Sequence, residues 1–305
     1  MLTTFDYLPQ KQVSELAQLV QKIVQAVNPE KIICYGYHCT VYQDWSSFFN
    51  NSGYAESMNP TYYFLIVTQE TEKHADHEII QMIEQQVEQL DCTVTCVIHK
   101  LGSVNESLAK GSRFFSTLYH RGILVYNGSC LPLTVPPEMP AVTVLKSKIQ
   151  ENWVNTFTIA QRFFQSAIHC LQNEWPEQTL FNLHQAAQHT CMGILRVFTG
   201  YRSTTHNLSR LLALIENITF NLTIIFPCLT KDETDLFNLL NKAYSNARYN
   251  ENFKVPIDKA QTLTDRVKEL LTIAERLYQI KITALENNQP ITFPLTIENE
   301  KEKAL

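Results

Sequence analysis

Arg248 stands in Lys-Ala-Tyr-Ser-Asn-Ala-Arg-Tyr, with Tyr244 one helical turn before it and Tyr249 beside it. A guanidinium so flanked can grip a phosphate with its planar fork while either phenol ring offers a face to a base. The plainer reading is a cation at a helix C-terminus, or one half of an ion pair. Arg202, in a turn before a later helix, is a weaker second cation. His184 lies on or near the apolar stripe of a helix with Gln188 one turn on, a pattern better explained by a packed core or interface imidazole than by a catalytic one. His206 follows Ser203-Thr204 where a helix begins, so capping and packing account for much of it. His189 falls toward a different face from His184, and His74 and His77 belong to a polar, solvated helix entry. The candidate phosphate site is therefore Arg248, Tyr244, Tyr249, Arg202, His184 and His206.

Eight cysteines invite a disulfide or zinc reading, but no Cys-x-x-Cys pair occurs. Cys92 and Cys96 sit in a β-branched stretch, where four residues span roughly 13 Å, too far for both thiolates to reach one zinc. Cys34, His38 and Cys39 form the only other cluster, with no second ligand pair near it in sequence. The start, MLTTFDYLPQKQ, lacks the apolar core of a signal peptide, and no apolar run reaches the ~18 residues of a membrane span. A cytoplasmic protein with reduced, mostly buried thiols, no metal and no cofactor is expected. A net charge of −5 argues against a broad electrostatic grip on nucleic-acid backbone, so extended DNA binding is not expected.

The elements that must position these residues divide at proline. At ~150 residues per domain, 305 residues make about two domains. Pro132, Pro136, Pro137 and Pro140 crowd the stretch 129–141, which reads as a linker. Before it, over 1–128, helical and strand signals alternate in an α/β pattern. Helices are expected at QKQVSELAQLVQKIVQAV and EIIQMIEQQVEQL, and one more over NESLAKGSRFFSTLYHRG up to Gly122. Strands are expected at KIICYGY, TYYFLIVT, CTVTCVI and ILVYN. After it, over 142–288, only long helices are expected. The first covers about Val142 to Gln172, and the second starts after Pro176 with Leu180, Leu183, Ala187, Cys191, Ile194, Leu195 and Phe198 on its stripe. A third begins near His206. A fourth opens on the capping box Thr230–Glu233 with Leu236, Leu239, Leu240, Ala243 and Ala247 inward, and a fifth follows Pro256. Five helices on short turns make an all-α bundle, and 289–305 is a charged tail.

The second half resembles the HEPN domain over about 140–285. The resemblance rests on His184, Ala187 and Gln188, on Thr205-His-Asn-Leu208, and on Tyr244-Ser-Asn-Ala-Arg248-Tyr249. It implies an up-and-down five-helix bundle that pairs with a second copy of itself, and a role with nucleotides or RNA. In that family a nucleotidyltransferase-like domain often precedes the bundle, as in fused MNT–HEPN proteins, and the first half looks like a degenerate one with a mixed sheet and flanking helices. Active members carry Gly-Ser after the first strand and two Asp, one residue apart, on the next. Here Gly36 is kept but Tyr37 replaces the Ser, and Tyr62 and Phe64 fall where the carboxylates would be. Rings cannot hold divalent cations, so no nucleotide transfer is expected. Asp91 at a strand edge and Asp44 and Glu56, taken as loop charges, do not replace them.

Many HEPN domains cut RNA with an Arg followed four to six residues later by a His. Arg248 is followed by Tyr, Asn, Glu, Asn252, Phe and Lys, and Asn252 cannot titrate. The expectation is thus a regulatory protein, more binder than enzyme, taking ATP, GTP or an RNA phosphate. The resemblance ties it to bacterial systems related to toxin–antitoxin pairs. Two alternatives stay open. One is a ribonuclease in which His184 or His206 acts with Arg248; the other is an interaction module docking through the aromatic insert Trp45–Tyr54.

Overall fold

A computed structural model describes residues 10–44, 55–129, 131–289 and 291. The chain divides into two compact units, Met1–Met139 and Pro140–Leu305.

In the first unit α1 (Gln10–Val27) leads into β1 (Lys31–Asp44) and β2 (Ala55–Thr68). There follow α2 (Asp76–Val87), β3 (Thr93–Lys100), α3 (Leu101–Ala109), α4 (Arg113–Arg121) and β4 (Ile123–Asn127). The sheet order is β3-β2-β1-β4. β1 runs antiparallel to β2 and β4, and β2 runs parallel to β3, so the sheet is mixed. Period-2 alternation sends Tyr62, Phe64 and Ile66 to the face covered by Leu19 and Ile23 of α1 and Ile79 and Ile83 of α2. The opposite face carries Tyr35 and Tyr63, with Phe114 of α4 edge-on to Tyr35 at 5.8 Å. Both faces are thus buried, and every residue of β2 from Pro60 to Thr68 is buried with them.

Two expectations change here. The single helix expected up to Gly122 is two, α3 and α4, because Gly111 takes a left-handed φ of 65° and its N–H closes onto Leu108 O. Asp44 and Glu56 lie in strands rather than a loop. β1 and β2 continue as a hairpin well past the end of β3, with Gln43 opposite Glu56 and Asp44 opposite Ala55. The aromatic insert Trp45–Tyr54 lies outside the described residues.

The second unit is helical: α5 (Val142–Gln172), α6 (Pro176–Thr199), α7 (Leu208–Glu216), a 3-10 turn (Thr223–Ile225), α8 (Lys231–Tyr249) and α9 (Ile257–Glu286). Pro176 opens α6, where its missing N–H costs nothing, and Gly200 closes it at a φ of 82° with its N–H on Arg196 O. α6 is the central element, touching α5, α7, α8 and α9. Gly193 lets α5 approach it closely, since a Cβ there would meet the Trp153 ring at 3.2 Å. Trp153 in turn stacks on Phe157 at 4.4 Å and Tyr278 at 4.8 Å, and its indole N–H donates to Glu275 Oε2 at 3.2 Å. Thr230 and Glu233 form the reciprocal capping box that starts α8. The innermost α8 side chains are Phe237, Leu240 and Ala243, with Leu236, Leu239 and Ala247 half-buried around them. α7 begins after His206: its N-cap is Asn207, whose side chain accepts from the Arg210 N–H at 3.2 Å.

Candidate functional site

Three segments of the second unit meet around the ring of Tyr244. α6 contributes Phe181, His184, Gln185 and Gln188, the 200–207 loop contributes His206, and the last turn of α8 contributes Tyr244 and Arg248. His184 is fully buried, and its Nε2 lies 3.0 Å from His206 O. A carbonyl only accepts, so Nε2–H is the donor, and Nδ1 accepts from Gln185 Nε2 at 3.3 Å. Burial is the chief reason the His184 imidazole is pushed down to about 4; the neighbouring His206 and Arg248 push the same way and the hydrogen bond to His206 O pushes back. His184 is therefore a neutral strut tying the loop to α6.

His206 is exposed, and its ring stacks on Tyr244 at 4.3 Å and 9°. Its Nδ1 lies 3.1 Å from Gln188 Oε1. Arg248 packs on the same ring, its Cζ 3.9 Å from the Tyr244 centroid and 4.9 Å from that of Tyr249. Its Nε donates to Tyr244 O at 2.7 Å, which is the helix-end role that the plainer reading assigned it. No ion pair involves Arg248 among the described residues. The side chain is exposed, and Tyr249 beside it is 77% exposed. The cation thus lies against two phenol rings, Tyr244, which also carries the imidazole, and the solvent-exposed Tyr249.

Residues 154–283 match the model of the HEPN domain. The match covers most of α5, all of α6 to α8 and most of α9. No curated protein matches the chain.

Within this HEPN-like stretch the structure gathers Arg248, Tyr244, Tyr249, His184 and His206, and leaves Arg202 apart. Arg202 is exposed in the loop near Arg196, whose charge it disfavours, and no bond joins it to the Tyr244 cluster among the described residues. His189 stacks on Phe163 at 5.7 Å, with its imidazole held below its usual range mainly by burial. Asn252 is exposed in the turn after α8, where its N–H donates to Asn250 Oδ1. Phe181 and Gln185 were not singled out in the sequence. The signal that finds them is their position on α6: Phe181 one turn before His184, and Gln185 immediately after it.

In the first unit, Tyr62 and Phe64 stack in the core 6.0 Å apart, with 1% and 0% exposure, and Tyr37 tilts against Tyr62 at 5.1 Å. Burial drives the Tyr62 hydroxyl far above its ordinary value and Tyr37 up to about 12, so neither is an anionic ligand. The divalent cations of nucleotidyl transfer do not fit this position, which offers rings in a closed core rather than carboxylates at an open face. Among the described residues no group of three or more His, Cys, Asp or Glu is placed to hold a metal. The thiols are poor ligands as they stand, since burial pushes Cys34 and Cys92 up to about 11 and Cys191 to about 12. A groove of about 520 Å³ runs between α2 and β3, but Glu84 and Glu88 line it, the wrong sign for a phosphate. No helix among the described residues is long and apolar enough to cross a membrane.

Proposed function

We propose that the HEPN domain binds the phosphate of a nucleotide or of RNA at Arg248, and that the protein acts as a regulator rather than as a nucleotidyltransferase. One observation carries this reading: the Arg248 guanidinium is exposed, held in place by the Tyr244 ring and carbonyl, and has no carboxylate partner among the described residues. A cation whose position is fixed and whose charge is not neutralised is suited to an incoming anion. Tyr244 has His206 and Arg248 against it, so the ring left for a base is Tyr249. Titration with ATP, GTP and a short single-stranded RNA tests this. Arg248→Ala should weaken binding at least tenfold, since charge-assisted hydrogen bonds are worth about 1.5–3 kcal/mol, while the melting temperature stays put. Absence of binding at millimolar nucleotide and micromolar RNA sinks the proposal.

The first unit is, on this reading, a degenerate nucleotidyltransferase-like domain, and its enclosed Tyr62 and Phe64 support that. Pairing of two HEPN bundles into a homodimer belongs to the same reading and is checked by light scattering on the full chain. A link to toxin–antitoxin-like systems rests on family analogy alone.

A second reading is favoured by the placement of His206. An imidazole and a guanidinium on one ring are the groups that in-line RNA cleavage uses, one to move the 2′-hydroxyl proton and one to stabilise the phosphate. Incubation of a transcript with wild type, Arg248→Ala and His206→Ala separates the two. Degradation that both substitutions abolish makes the protein a ribonuclease, and an intact transcript that is nevertheless bound makes it a binder.

A further inference from the structure

Gln188 lies on the buried face of α6, 4% exposed. Its Nε2 points to Met192 Sδ at 3.8 Å and its Oε1 to His206 Nδ1 at 3.1 Å. A thioether is a weak acceptor and no donor, so the NH2 end of the amide belongs on it and the carbonyl belongs on the imidazole. An amide oxygen cannot donate, so the ring proton of neutral His206 sits on Nδ1. The His206 carbonyl is pinned by His184 and its ring by Tyr244, which leaves little freedom to flip. Nε2 then has a lone pair and no protein partner among the described residues. The titratable groups packed around the ring are His184 and His189 from α6 and Tyr244 and Arg248 from α8. None of them is a carboxylate that would draw the proton to Nε2.

We propose that Gln188 is a positioning residue that holds His206 as the Nδ1–H tautomer, so that the site pairs a hydrogen-bond acceptor, His206 Nε2, with a cation, Arg248. The ligand that matches is a hydroxyl donor next to a phosphate, which a ribonucleotide has in its 2′-hydroxyl and a deoxyribonucleotide lacks. A lone pair repels a bare anionic oxygen but accepts from a hydroxyl, so His206 supplies selectivity and Arg248 supplies attraction. This deepens the phosphate-binding reading and rests on it.

Imidazole nitrogen NMR on the full-length protein at pH 7.5 reads the tautomer without any ligand. His206 is expected as Nδ1–H in wild type, where the Gln188 amide oxygen accepts from it, and shifted toward Nε2–H in Gln188→Leu. Binding of a ribo-oligoadenylate and its deoxy counterpart reads the selectivity. Wild type should prefer the ribo form about fivefold, the worth of one hydrogen bond. Gln188→Leu should lose that preference, and so should His206→Asn, an exposed substitution that lacks an Nε2 and keeps the comparison available if the buried variant does not fold. An Nε2–H tautomer in wild type, or equal binding of the two oligomers, overturns the inference while phosphate binding stands. If neither oligomer binds although the tautomer is Nδ1–H, the phosphate-binding reading falls and takes the selectivity with it.

Discussion

His184 makes the helical unit sensitive to acid in a way that can be isolated. Its imidazole titrates near 6.5 when unfolded and is pushed down to about 4 in the folded bundle, chiefly because no water reaches it. The unfolded chain therefore takes up a proton that the native state refuses. Stability from this group is complete above pH 6.5, is lost as pH falls from 6.5 toward 4, and changes no further below that. At about 1.4 kcal/mol per pKa unit, the loss across the window is about 3 kcal/mol. His38, His99 and His189 are also held down by burial and add to the same slope, so the absolute curve is not diagnostic. The difference from a variant is. His184→Gln places an amide in the same buried space without a titrating group. Urea unfolding of both full-length proteins, followed by tryptophan emission at half-unit steps from pH 7.5 to 4, should show wild type losing about 3 kcal/mol more than the variant. Parallel curves would mean that His184 is hydrated or protonated in the native bundle. The neutral strut that seats His206 would then be wrong.

Further outcomes follow from the contacts of other residues. Tyr249→Ala should weaken nucleotide binding by about 1–3 kcal/mol, the value of one base–aromatic stack, while Tyr249→Phe binds as wild type; calorimetry separates the two. Trp153→Ala empties a site between Phe157, Tyr278 and Gly193 and should cost about 3–5 kcal/mol in denaturant unfolding, whereas Gly193→Ala pushes against the same ring from the other side and should cost about 1–3 kcal/mol. Phe64→Asp should not create Mg²⁺-dependent nucleotide transfer. It puts a carboxylate into a closed core and should melt the first unit instead, as circular dichroism would report; a folded variant that binds Mg²⁺ would show that this face is open.

What could be seen in the sequence was whatever local chemistry dictates. The ends of α5 and α6 are marked by the turns around them, and Thr230 with Glu233 starts α8 through bonds three residues apart. The break between α3 and α4 was hidden because Val104, Leu108, Phe115 and Leu118 keep a helical spacing across it, while the left-handed φ of Gly111 and the extended ψ of Ser112 interrupt the helix. The site around Tyr244 was hidden for a different reason. Each residue was visible singly, but the contacts that join them cross 22 residues from His184 to His206 and 18 from Gln188 to His206. The expected Arg-then-His spacing places an imidazole beside the guanidinium using one stretch of chain. Here that stretch, after Arg248, is spent on Phe253, which anchors the turn in the core. The imidazole near Arg248 comes instead from the 200–207 loop. It is held there by a neutral histidine beneath it, a glutamine beside it and the shared ring of Tyr244. A pattern written along one segment cannot register a group delivered from another, so the missing histidine after Arg248 says where the imidazole does not come from, and nothing about whether one is present.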